Sequence, residues 1–143
     1  MKAAREAARL GYTNVHTFRD GIPGWVAAGY ELDTSQALTE YKISTLNTSE
    51  LFNSLDNVLV VDVRNNSEVE NMGAFPNSIH MPFEDLERRY EEIPMEKQIV
   101  VIDFSGVEYR CAANFLKSKG YNNVKGLLGG VKDWIKQGNA LIK

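Results

Sequence analysis

The chain has 143 residues, 43% of them apolar and 24% charged, with a net charge of −3. That length holds one full domain plus a smaller piece, and the negative balance argues against nucleic acid as a default partner. One cysteine excludes an internal disulfide. No apolar run approaches the ~20 residues of a membrane span, and the first residues alternate charges with alanines instead of following a signal-peptide pattern. A cytoplasmic protein is the expectation.

Taken in order, alanine-rich residues from Lys2 to Leu10 predict a helix closed by Gly11. Val15 to Phe18 reads as a short strand. Gly21 to Ala28 reads as a helix with Pro23 near its first turn, ended by Gly29. A polar linker covers roughly Glu31 to Glu40. Tyr41 to Ile43 reads as a short edge strand. Asn47, Thr48, Ser49 and Glu50 offer N-cap chemistry for a helix to about Leu55.

Val58 to Val63, apolar except for Asp62, reads as a central parallel strand. Ser67 to Asn71 reads as one helical turn, and Ser78 to Met81 as a strand. Phe83 to Tyr90 reads as a charged helix stopped before Pro94, with i,i+4 pairs Glu84–Arg88 and Asp85–Arg89 on a solvated face. The strand at Gln98 to Ile102, the helix from Tyr109 to Lys119, the strand near Val124 to Leu127 and the helix from Gly130 to Lys136 complete the chain. This alternation predicts an α/β fold in three layers: a central, mostly parallel sheet with helices on both faces.

The chain also repeats itself at an ungapped offset of 109 residues. Ala3 and Ala4 match Ala112 and Ala113. Gly11-Tyr12 matches Gly120-Tyr121, and Asn14-Val15 matches Asn123-Val124. Gly21, Trp25 and Gly29 match Gly130, Trp134 and Gly138. Both stretches read as one helix–strand–helix unit. The first copy lacks the strands that should precede it, so Leu10, Val15, Phe18, Ile22, Trp25 and Val26 need a partner.

Between the strand ending at Ile102 and the following helix lies the loop Asp103-Phe104-Ser105-Gly106-Val107-Glu108. A strand, a tight Gly-containing loop and a helix N-terminus make an anion cradle of convergent N–H groups. A thiol there would be acidified and nucleophilic. This chain has a carboxylate instead. Asp103 is read first as a cap for the loop N–H groups, and second as a cation ligand or an acceptor for a partner.

Several segments together resemble the rhodanese (sulfurtransferase) family. They are Val60-Val61-Asp62-Val63-Arg64, Ala74-Phe75-Pro76-Asn77-Ser78-Ile79, the strand Ile99 to Ile102, Gly120-Tyr121-Asn122-Asn123-Val124, and Leu128-Gly129-Gly130-Val131-Lys132-Asp133-Trp134 leading to Gly138. The family's active loop reads Cys, four residues, Arg. Aligned without gaps on Phe115-Leu116 and Gly120-Tyr121, the Cys position falls on Asp103 and the Arg position on Glu108. A looser register would pair Ser105 with Arg110 and still lack a thiol. The family's His in Gly-His-Ile-Pro-Gly-Ala is also absent from Gly73-Ala74-Phe75-Pro76-Asn77-Ser78.

The resemblance implies a complete rhodanese-like domain at 39–143 and, at 1–38, the C-terminal remnant of a first such domain. Two explanations of the remnant are open: a fragment or mis-assigned start of a tandem protein, or a natural short form using it for docking or dimerisation.

Two acids about one loop should repel thiosulfate, phosphate and arsenate, which also argues against the phosphatase variant of the fold. Cys111, one helical turn beyond the loop, is read as a small helix residue, with a relocated sulfur carrier as the other reading. Asp62 and Arg64 read as a structural salt bridge, with support of the loop as the other role. His16 and His80 are lone, and no metal site or cofactor is expected. Trp25 and Trp134 read as core packing.

The functional expectation is a catalytically inactive rhodanese-like domain, with no catalytic residue of its own, acting as scaffold, regulator or binding surface of a tandem sulfurtransferase. The alternatives are an active thiosulfate-type sulfurtransferase, through Cys111 or Asp103, and a homo-association module using the remnant. Expected partners are an upstream rhodanese domain or a second copy. A small-molecule sulfur donor enters only if the domain is active. Neither membrane nor nucleic acid is expected.

Overall fold

The structure is a computed structural model that describes residues 2–32 and 40–143. Most of the expected linker falls outside the described residues. The chain divides into two compact units, Met1–Leu38 and Thr39–Lys143.

In the second unit, five strands form one sheet: β1 (Ser44–Leu46), β2 (Leu59–Asp62), β3 (Ser78–His80), β4 (Ile99–Ile102) and β5 (Val124–Leu127). Their order is β1-β5-β4-β2-β3. Every neighbouring pair is parallel, with Val61 opposite Val101 and Ile99 opposite Val124. An antiparallel bridge joins Ala74 to Ile142 outside the strands. The interior strands β2 and β4 carry β-branched residues because both sheet faces are buried.

Alternation along β2 and β4 sends side chains into two cores. Val61, Ile99 and Val101 face Ala112, Ala113 and Leu116 of one helix, together with Met81, Ile93 and Tyr121. Val60, Val100 and Ile102 face Leu51, Phe75, Val131 and Trp134. The three-layer α/β architecture expected from the sequence is the one observed.

Helices α3 (Thr48–Ser54) and α4 (Asn66–Met72) each start with a capping box. Asn47 accepts from the Glu50 N–H while Glu50 accepts from the Asn47 N–H, at 3.0 and 2.8 Å. Asn65 and Glu68 do the same at 2.9 and 3.1 Å. The second box makes α4 longer than the single turn expected at Ser67–Asn71. The edge strand lies at Ser44–Leu46 and not at Tyr41–Ile43, because its register is set by pairing with Lys125–Leu127.

Phe83–Tyr90 is not one helix. It is a 3₁₀ turn (Phe83–Asp85), a short α5 (Leu86–Arg89) and a second 3₁₀ turn (Tyr90–Glu92). That change in pitch replaces the expected i,i+4 pairs with the i,i+3 pairs Asp85–Arg88 and Arg89–Glu92. Helices α6 (Tyr109–Ser118) and α7 (Gly130–Lys136) close the fold.

The first unit holds α1 (Lys2–Arg9) and α2 (Gly21–Ala27). Residues 15–18 are not a strand. A strand exists only through its ladder, and no neighbour pairs with this segment among the described residues. Trp25 is correspondingly not a core residue. It is exposed, edge-on to Phe18 and tilted against Tyr30.

Candidate functional site

Parallel sheets present their ligand sites at the carboxyl ends of strands. Asp103 stands at that end of β4, directly after the fully buried run Ile99–Ile102. Only 1% of its surface is exposed. One carboxylate oxygen accepts from the Gly106 N–H at 2.8 Å. The other accepts from the Val107 and Glu108 N–H groups at 3.0 and 2.8 Å. The Ser105 hydroxyl lies 3.4 Å from it, too far to add much.

These donors belong to the loop that leads into α6. They are the N–H groups that would converge on a bound anion, and the chain's own carboxylate takes them. Hydrogen bonds to an ionised acceptor are the stronger kind, and three converge on one buried group. A cation would meet the same N–H groups in its first shell, so this geometry does not suit the cation-ligand reading of Asp103.

A second helix end fixes the loop from behind. The Val131 and Lys132 N–H groups, in the first turn of α7, donate to the carbonyls of Asp103 and Phe104, each at 2.9 Å. Backbone approach this close needs glycine on both sides. A Cβ on Gly106 would lie 2.4 Å from the Gly129 nitrogen, and one on Gly130 would lie 2.5 Å from the Asp103 carbonyl oxygen. Both glycines also have positive φ, +76° and +61°. The loop is therefore held at its carbonyls by α7 and at its N–H groups by Asp103.

The loop's outer side chains are open. Phe104, Ser105, Val107 and Glu108 are exposed, and Gly106 is half-buried. Glu108, at the expected arginine position, faces solvent with its negative charge. Arg110, the arginine of the looser register, is turned onto the Tyr109 ring, its guanidinium carbon 6.0 Å from the centroid. Cys111 is exposed on α6, whose buried face is Tyr109, Ala112, Ala113 and Leu116. Its thiol thus lies on a solvent face, while the converging N–H groups point into the buried Asp103.

Asp62 and Arg64 form a fully buried ion pair at the carboxyl end of β2. Arg64 Nε donates to both Asp62 oxygens at 2.9 and 3.0 Å, and Nη2 to one of them at 2.5 Å. Nη2 also donates to the Gly73 carbonyl at 3.0 Å. His80 Nε2 donates to the Arg64 carbonyl at 2.8 Å, which fixes the proton on that nitrogen. His80 is thereby a strand-to-strand tie between β3 and the end of β2.

His16 in the first unit bonds the Asn14 side chain at 2.6 Å on the surface. Among the described residues no group of three or more His, Cys, Asp or Glu could hold a metal ion. No helix among them is long and apolar enough to cross a membrane.

The hold of α7 on the loop's carbonyls was not anticipated from the sequence. Its signal was present in Gly129-Gly130, a pair that has to pass something closely. The Asn65–Glu68 capping box was likewise legible as Asn-x-x-Glu.

Comparison with known proteins agrees with this frame. A sulfurtransferase of Allochromatium vinosum is 28% identical over 101 residues, covering 71% of this chain and 94% of its own. The thiosulfate sulfurtransferase GlpE of Coxiella burnetii is 28% identical over 93 residues, covering 65% of this chain and 85% of its own. The crystal structure of a rhodanese-related protein from Thermoplasma volcanium superposes with a TM-score of 0.63 at 28% identity, over 67% of this chain and 94% of that one. The rhodanese-like domain family model matches residues 47–137. With that match and the sheet order above, the chain belongs to the rhodanese-like domain family.

Proposed function

We propose that residues 39–143 are a rhodanese-like domain that does not itself transfer sulfur, and that it serves as a scaffold, regulatory or binding domain of a tandem sulfurtransferase. The observation that carries this reading is the Asp103 carboxylate, buried and bonded to three loop N–H groups at 2.8–3.0 Å. In the family reaction a thiolate attacks the sulfane sulfur of thiosulfate. A new S–S bond forms as a persulfide, and sulfite leaves with the electron pair of the old one. A carboxylate oxygen has no such step available, and here it also fills the place of the anion. Glu108 adds a second negative charge at the mouth. Cys111 stands on the outer face of α6, away from the N–H groups that converge on Asp103.

The test is a thiosulfate:cyanide sulfurtransferase assay on the purified chain, paired with intact-mass analysis after exposure to thiosulfate. The expected result is no turnover and no added sulfur. Turnover with one sulfur atom on Cys111, abolished by Cys111→Ala, would overturn the reading.

A further inference from the structure

The two stretches related by the 109-residue offset share more than letters. Gly11, Gly21 and Gly29 have φ of +94°, +58° and +83°, and Gly120, Gly130 and Gly138 have +95°, +61° and +84°. The Tyr12 N–H donates to the Ala7 carbonyl and the Tyr121 N–H to Leu116, both at 3.1 Å. Trp25 Nε1 donates to the Glu31 carbonyl and Trp134 Nε1 to Ala140, again both at 3.1 Å. Each donor and acceptor is displaced by the same offset.

One exchange is reciprocal. A Cβ on Gly24 would lie 2.3 Å from the Asp20 Cβ, and one on Gly129 would lie 2.1 Å from an Asp133 carboxylate oxygen. Asp20 corresponds to Gly129 and Gly24 to Asp133. Each copy has one aspartate and one glycine at this pair, on opposite sides.

What differs is the cover. Tyr12, Phe18, Ile22 and Trp25 are between 41% and 67% exposed, while Tyr121, Leu127, Val131 and Trp134 are at most 2% exposed. In the second unit β5 is flanked by β1 and β4, the Tyr121 hydroxyl reaches the Tyr90 and Ile93 carbonyls, and Trp134 packs on Phe75. All of these partners lie between residues 44 and 102 and are already engaged there. In the first unit Leu10, Tyr12, Phe18, Ile22, Trp25 and Val26 are all exposed, apolar surface of the kind a specific protein interface covers.

We infer that this face of residues 10–30 is a docking surface for a polypeptide carrying the first half of a rhodanese-like fold. That occupant supplies two parallel strands to flank residues 15–18 and an aromatic side chain over Trp25. The inference rests on the repeat and not on whether the Asp103 loop is catalytic, so either reading can fail without the other.

The experiment places residues 41–109 directly ahead of Met1 of the full chain, which keeps the 109-residue register. A second version adds Phe18→Leu and Ile22→Val, matching Leu127 and Val131, to remove overpacking. Hydrogen exchange of residues 12–18 is compared with that of the parent chain, and masses are measured by light scattering. The expected result is fast exchange in a monomeric parent and protection of about a hundredfold or more in at least one fusion. No gain of protection in either fusion would overturn the proposal. So would a parent that protects 12–18 by itself, as a dimer through self-association or as a monomer by internal cover.

Discussion

The Asp103 carboxylate accepts a hydrogen bond from the Glu108 N–H at 2.8 Å, so the first residue of the loop closes on the last. These are the two positions on which the ungapped alignment would set the family's cysteine and arginine. Their backbone geometry is still that of an anion cradle, and an internal carboxylate occupies it.

Emptying the cradle should therefore restore anion binding. Asp103→Ala, combined with Glu108→Gln to remove the repulsion, is expected to be stabilised by sulfate at ten times its Kd by about 1.4 kcal/mol, as ligand linkage requires. The parent should gain only what ordinary salt gives. Thermal unfolding with and without sulfate measures it, with chloride of equal ionic strength as control.

Restoring the chemistry is a stricter demand. Asp103→Cys with Glu108→Arg should convert the chain to one that takes up a sulfur atom on residue 103 from thiosulfate, because the thiolate then faces the Gly106, Val107 and Glu108 N–H positions. Asp103→Cys alone should label more slowly, since the acid at 108 repels the donor. Intact mass against time separates the two.

The buried pair at the end of β2 should be costly to break from one side. Asp62→Ala strands the Arg64 guanidinium at full burial and is expected to cost about 3–5 kcal/mol. Removing both charges, as Asp62→Ala with Arg64→Met, should recover part of that loss. Urea unfolding of the singles and the double gives the coupling.

Tyr121 carries a pH prediction. Its hydroxyl donates to the Tyr90 and Ile93 carbonyls at 2.7 and 2.9 Å. Burial raises its pKa above the ordinary tyrosine value, helped by the neighbouring Tyr90 and Glu91 charges. A folded pKa above the unfolded one makes a contribution that is complete below pH ~10. It is lost as pH rises through the folded value. Tyr121→Phe should cost about 1–2 kcal/mol at neutral pH and flatten the alkaline fall in stability. Urea unfolding from pH 7 to 11 would show both.

Gly130→Ala should be among the most damaging small substitutions. The new methyl meets the Asp103 and Phe104 carbonyls and the Gly106 nitrogen at 2.5–2.7 Å, all backbone, at φ +61°. A loss of about 2–4 kcal/mol is expected from strain and the detached loop, read by urea unfolding. Gly138→Ala shares the positive φ but meets nothing within 4 Å, and should cost less.

Much of this was legible along the chain. The apolar run at Ile99–Ile102 and the one at Val58–Val63, broken only by Asp62, are short and β-branched, which favours central strands. The glycines at 11, 29, 120 and 138 mark helix ends because they alone take the left-handed turn without strain. Asp103 could be placed at a strand end and read as a cap because short-range chemistry decides that: a carboxylate within a few residues of free N–H groups accepts from them. What failed were features set by partners distant in sequence. The edge strand moved to Ser44–Leu46 because β5 dictates its register. Residues 15–18 made no strand because pairing needs a second strand beside the first, and none pairs with them among the described residues. The charged stretch at 83–92 broke into a short helix between two 3₁₀ turns while Leu86 and Ile93 entered the core.

The sequence by itself determined the order of elements, the family likeness and the acid at the loop, all of which rest on local propensity and spacing. Only the tertiary structure decided that α7 clamps the Asp103 and Phe104 carbonyls, that Arg64 is wholly buried, and that Trp134 is covered while Trp25 is open. Those outcomes depend on which surfaces meet, and packing excludes water only where a second element arrives to complete the contact.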